Sequence, residues 1–138
     1  RDTHAAQQGR LLAPLRQLDQ GLSALKAALC AVWQRTAVLV VTEFGRTARI
    51  NGTRGTDHGT ASVAFVLGGA VAGGRVLADW PGLAAGQLYD GRDLAPTTDL
   101  RAVMKGLLRG HLWLDETALA RVFPDSGPVA ALRDLVRE

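Results

Sequence analysis

VLVVTEFGRTARINGTRGTDHG, residues 38–59, joins an apolar strand to two polar knots and sets how the rest of the chain is read. The strand signal runs from Ala37 to Thr42 and reads as buried on both faces. It leads to a carboxylate, Glu43, and an Arg- and Gly-rich loop then leads to Asp57-His58-Gly59. A third knot, Asp2-Thr3-His4, stands at the start of the chain. Carboxylate and imidazole are hard-to-borderline donors, a combination suited to a divalent cation such as zinc or manganese. Three such knots in a chain with only three histidines make a metal-dependent site the leading reading.

Outward from this stretch, residues 7 to about 35 read as one long amphipathic helix. Leu11, Leu15, Leu18, Leu22, Leu25, Leu29 and Val32 recur at spacings of four and three, a continuous apolar stripe expected to pack on a sheet. A second strand is expected over Ser62–Leu67, ended by Gly68-Gly69, and a short third over Arg75–Leu77. The stretch from Asp79 to Pro96 is turn-rich. Thr97-Thr98-Asp99 supplies N-cap chemistry for a helix to about His111, and two short helices follow near Glu116–Val122 and Pro128–Val136. Helix, buried strand, polar loop and second strand make an α/β fold. Ligands of open α/β sheets sit outside the carboxyl ends of the strands, where Glu43 falls.

The length suits one domain of modest size, with roughly two-thirds of the unfolded surface buried. The net charge of +3 is small and its basic residues scattered, so nucleic-acid binding is not expected. Arg35, Arg46, Arg49 and Arg54 do gather near the proposed site. Their forked guanidinium groups suit a phosphate or sulfate, with solvated loop charge as the competing reading. Cys30 is alone, which excludes an intrachain disulfide, and no apolar run approaches the length of a membrane span. The chain begins with Arg1 rather than Met, so the missing export signal says nothing of compartment.

In an extended segment Asp2 and His4 point to the same side, so a carboxylate oxygen and an imidazole nitrogen can reach one cation. The glycines around Asp57 and His58 allow close approach of a ligand to the backbone. Asp57 either binds the metal directly or orients His58 from behind it. Glu43 is a ligand, a general base or a partner of Arg46. His111, late in its helix, has a structural role near the last carbonyls. There is no P-loop, dinucleotide fingerprint or nucleophile elbow.

Asp-Thr-His-Ala-Ala-Gln at 2–7, Thr-Glu-Phe-Gly-Arg-Thr at 42–47 and Gly-Thr-Asp-His-Gly at 55–59 resemble segments of a bacterial family, domain of unknown function 1501. Phe-Val-Leu-Gly-Gly at 65–69, Asp-Trp-Pro-Gly-Leu at 79–83, Leu-Tyr-Asp-Gly-Arg-Asp-Leu at 88–94 and Thr-Thr-Asp-Leu-Arg at 97–101 extend the resemblance in order. It implies the C-terminal part of an alkaline phosphatase or sulfatase-like three-layer sandwich with a mainly parallel sheet. Residues 1–138 would then be a single domain that is a fragment of a larger one, with its nucleophile and first metal carboxylate upstream. Asp2 and His4 would form one ligand pair, with His58 returning to the same metal and Asp57 beside it. Glu43 falls where related enzymes place the Asp of an Asp-His ligand pair, but Phe44 follows it and cannot ligate.

The resemblance further implies a metal-dependent hydrolase of phosphate or sulfate esters, incomplete in this chain, with a divalent zinc, manganese or calcium. Glu43 and Arg46 are the catalytic candidates, and the partner is an anionic ester or polyanion. A periplasmic or extracytoplasmic home follows from the resemblance alone. The alternative is a non-catalytic scaffold that binds a polyanion or a partner protein.

Overall fold

Pro14 decides where the first helix breaks. Its ring collides with the carbonyl four residues back, that of Arg10, and a helix cannot run straight through that point. The computed structural model, which describes residues 3–137, accordingly has a single helical turn α1 (Gln7–Arg10) and then α2 (Leu12–Ala28). Pro14 sits in the first turn of α2, where its missing N–H costs no hydrogen bond. The one long helix expected over 7 to about 35 is therefore divided. It also ends early, and a 3₁₀ turn over Trp33–Arg35 hands the chain to a strand. None of α2 is buried: Leu11, Leu15, Leu18 and Leu25 all stand exposed, so within the described residues the apolar stripe does not pack on a sheet.

The fold is mixed α/β with two small antiparallel sheets. Strand β1 (Val38–Val40) pairs with β4 (Phe65–Leu67), Val38 opposite Leu67 and Val40 opposite Phe65. Strand β2 (Gly45–Arg46) pairs with β3 (His58–Gly59), Arg46 opposite His58. β1 is half-buried rather than buried on both faces, and among the described residues it has one partner strand. Glu43 lies three residues past its end, in an exposed bend. Among the described residues no helix is long and apolar enough to cross a membrane.

The chain divides into two compact units. One comprises Arg1–Cys30, Val41–Ala64 and Asp79–Thr97; the other comprises Ala31–Val40, Phe65–Ala78 and Thr98–Glu138. The second unit holds the apolar core, formed by Val71, Leu107, Leu119 and Leu135. Its helices are α3 (Leu100–Leu112) and α4 (Glu116–Val122), each N-capped by an aspartate, Asp99 or Asp115. Lys105 is buried on α3 and donates its Nζ to the carbonyls of Ser126 and Val129.

The expected helix near Pro128–Val136 is absent. The tail instead runs as a strap, with Leu132 N–H on the Ala102 carbonyl, Arg137 N–H on that of Ala70, and Val136 bridged to Val71. Those cross-chain hydrogen bonds outweigh the segment's helix propensity, which is worth only tenths of a kcal/mol per residue. Likewise Arg75–Leu77 is not a strand but exposed chain, with Val76 almost fully in solvent.

The Asp99 cap is testable. Its carboxylate accepts from the N–H and the guanidinium of Arg101, and these bonds hold its pKa below the usual 3.8. Asp99→Ala is expected to cost about 1 kcal/mol in urea denaturation at neutral pH. Because the folded-state pKa is depressed, that contribution is full above about pH 3.8 and is lost as the pH falls below it. The difference between wild type and variant should therefore shrink in acid.

Candidate metal centre

The segment after Thr3 is laid alongside the loop that precedes Asp57. Ala6 N–H donates to the Thr53 carbonyl, Gln7 N–H to that of Arg54, and Thr56 N–H to that of Thr3, while Ala5 and Arg54 form an antiparallel bridge. Gly55 makes this approach possible, since a Cβ there would overlap the backbone carbonyl of His4. Asn51 locks the two segments together. Its Nδ2 donates both to the His4 carbonyl (2.8 Å) and to Asp57 Oδ1 (2.9 Å), and its Oδ1 accepts from Thr53 and Gly55.

This pairing brings His4, Asp57 and His58 together from 54 residues apart in sequence. His4 Nε2 stands 3.2 Å from His58 Nε2, and His4 Nδ1 stands 3.3 Å from Asp57 Oδ1. With the carboxylate on Nδ1, the neutral His4 ring carries its proton there and turns the Nε2 lone pair toward His58. The His58 ring lies stacked on Phe44, centroids 3.9 Å apart at 24°. Two nitrogens bound to one tetrahedral zinc stand roughly 3.3 Å apart, so the separation of the two Nε2 atoms suits a shared cation. All three groups are exposed, and the site is open to solvent. The Asn51 amide, then the His4 ring, hold the Asp57 carboxyl below the usual range, with a smaller push from the charge of Arg46.

Arg46 is committed to the same loop. Its Nε donates to Thr56 Oγ1 (3.0 Å) and its Nη2 to the Thr56 carbonyl. Thr56 Oγ1 in turn donates to Gln7 Oε1 (2.7 Å), which also accepts from Thr3. Glu43 is exposed, and its side chain makes no hydrogen bond or ion pair among the described residues. Asp2 lies outside the described residues. Among the described residues no group of three or more His, Cys, Asp and Glu is arranged to hold a metal ion. What the structure does bring together is the two imidazoles with Asp57 behind one of them, and it places Asp57 on His4 rather than on His58.

Sequence reasoning passed over Asn51, Thr56, Gln7 and Asp93. Asn51 opens an Asn-Gly pair, a turn signal that could have marked it. Asp93 is buried beneath the site loop. Its Oδ2 accepts from Thr60 (2.9 Å), and its Oδ1 meets Arg92 Nε at 2.8 Å, an ion-pair contact without hydrogen-bond geometry. Burial pushes the Asp93 carboxyl up, but Thr60 and Arg92 outweigh it and leave it below the ordinary value. The backbone of Asp93 bridges to Thr47, whose Oγ1 accepts from the N–H of Asp57, so the Asp93 backbone braces the loop that carries Asp57.

The chain belongs to the family described as protein of unknown function DUF1501, whose model matches residues 2–123. Searches of curated proteins and of solved structures return no match.

Gly55→Ala tests the close approach. The new methyl group would force the two site segments apart and should lower stability by about 1–3 kcal/mol in urea denaturation. An unchanged midpoint would contradict the pairing.

Proposed function

We propose that His4 and His58 hold a divalent cation in a metal-dependent hydrolase of phosphate or sulfate esters, within a sulfatase-like three-layer domain built on a mainly parallel sheet. The observation that carries this reading is the pair of Nε2 atoms at 3.2 Å, one of them set by the Asp57 carboxylate on its own ring. Two imidazoles favour zinc or manganese over calcium, which prefers oxygen. When bound, the cation would supply Lewis-acid polarisation of an ester oxygen.

The chain's own residues would do the positioning. Asp57 keeps the proton on His4 Nδ1, Phe44 fixes the plane of the His58 ring, and Asn51 holds Asp57 and the His4 backbone in register. Arg46, gripping Thr56, serves better to hold the loop than to meet a substrate oxyanion. Glu43 remains the acid–base candidate of the open face. An extracytoplasmic home accompanies this reading by resemblance.

A non-catalytic scaffold is the second reading, and the placement of Arg46 and Glu43 favours it. Arg46 is occupied with Thr56, and Glu43 makes no hydrogen bond or ion pair among the described residues. Elemental analysis of the protein beside a His4→Ala/His58→Ala variant tests the shared premise. Near-stoichiometric zinc or manganese, lost in the variant, is expected, together with metal-dependent turnover of an aryl phosphate or aryl sulfate by the full-length protein that supplies the nucleophile. Metal without turnover would transfer the reading to the scaffold, and no metal after reconstitution would overturn both the site and the hydrolase.

A further inference from the structure

A second feature lies wholly within the unit of Ala31–Val40, Phe65–Ala78 and Thr98–Glu138, and owes nothing to the candidate metal centre. It is an open groove of about 590 Å³ whose wall is drawn from four separate stretches. The 3₁₀ turn gives Gln34 and Arg35, the segment after β4 gives Gly69, the end of α3 gives His111 and Trp113, and the tail gives Arg137. Among the described residues lining it there is no carboxylate, and two arginines and a histidine share its wall.

Cations often gather at a helix C-terminus to offset its unpaired carbonyls. Here the chain's own backbone meets one of those carbonyls, that of Leu108, which the N–H groups of Trp113 and Leu114 both reach. Arg137 is also fixed in place, its Nε donating to the Val71 carbonyl at 3.0 Å, which orients the guanidinium plane. Trp113 occupies the left-handed cap position at φ 53°, rare for a bulky residue, and is 86% exposed. An indole held out beside two guanidinium groups offers a flat stacking face next to a positive end.

We infer that this groove binds a small ligand with an oxyanion on a flat ring, the oxyanion between Arg35 and Arg137 and the ring on Trp113. Forked guanidinium groups suit phosphate, sulfate and carboxylate alike, and the indole adds contact area for a planar body. The site is independent of any metal.

The test is calorimetric and fluorescence titration of the metal-stripped protein with phenyl phosphate, benzoate and inorganic phosphate. Saturable binding of at least one ring-bearing probe, tighter than inorganic phosphate and accompanied by a change in tryptophan emission, is expected. Arg35→Gln should weaken it about tenfold, as loss of one charge-assisted contact would. Arg35 is exposed, so its variant should keep the wild-type melting curve, whereas Arg137→Gln also removes the Val71 contact and serves as the second variant. Trp113→Leu should bring the ring-bearing probes down to the level of inorganic phosphate, and His58→Ala should leave binding unchanged. Failure of all three probes to saturate would overturn the proposal. So would unaltered affinity in Arg35→Gln, or equal loss in His58→Ala, which would place the ligand at the other site.

Discussion

The backbone pairing between residues 3–7 and 53–56 is the constraint on which the candidate site depends. Side chains as short as imidazole and carboxylate meet only if the strands carrying them lie within hydrogen-bonding distance. Here three backbone hydrogen bonds and a bridge hold them there. Gly55 admits the approach and Asn51 fixes its register. Once those segments are joined, His4 faces His58 and Asp57 reaches around to the far nitrogen of His4 with no further adjustment of the chain.

The unit that carries the site is unusual in what it buries. Its buried residues include Thr3, Thr47, Thr56 and Asp93, with Gly45 and Gly55, while Leu12, Leu15, Leu18 and Leu25 on α2 stay exposed. Buried polar groups are tolerable only when paired, so the interior of this unit must be satisfied bond by bond. The chain Arg46–Thr56–Gln7–Thr3, the Thr47 hydroxyl on the Arg49 carbonyl and the pair Thr60–Asp93 do so for all but Asp93 Oδ1, which meets Arg92 as an ion pair alone. Directional bonds fix geometry more narrowly than apolar contact does, which is the property a ligand loop requires. The apolar core lies in the other unit, around α3 and α4.

The parts legible in the sequence were those set by local chemistry. Asp99 announced α3 because an aspartate before an apolar-periodic run can accept the helix's first N–H groups, and α4 falls where it was expected. The polar knots at His4 and at Asp57-His58 announced themselves by residue type, and the family match over residues 2–123 agrees with the segments that suggested it. Long-range effects were not legible. The tail from Pro128 has a helical composition, yet its hydrogen bonds go to Ala70 and Ala102, partners that periodicity cannot reveal. The break before α2 was present in Pro14 but was overridden by a seven-residue apolar rhythm. Asn51 carried a turn signal in its Asn-Gly pair but joins the site through the distant His4 carbonyl, and Asp93 through Thr60, 33 residues away, which spacing does not reveal.

The central claim, that His4 and His58 share a cation through their Nε2 atoms, is met most directly by X-ray absorption spectroscopy of the zinc-loaded protein. The account predicts two imidazole nitrogens at about 2.0–2.1 Å from the metal, both lost in the His4→Ala/His58→Ala variant. A first shell of oxygen alone, or an imidazole signal that survives the double substitution, would contradict it.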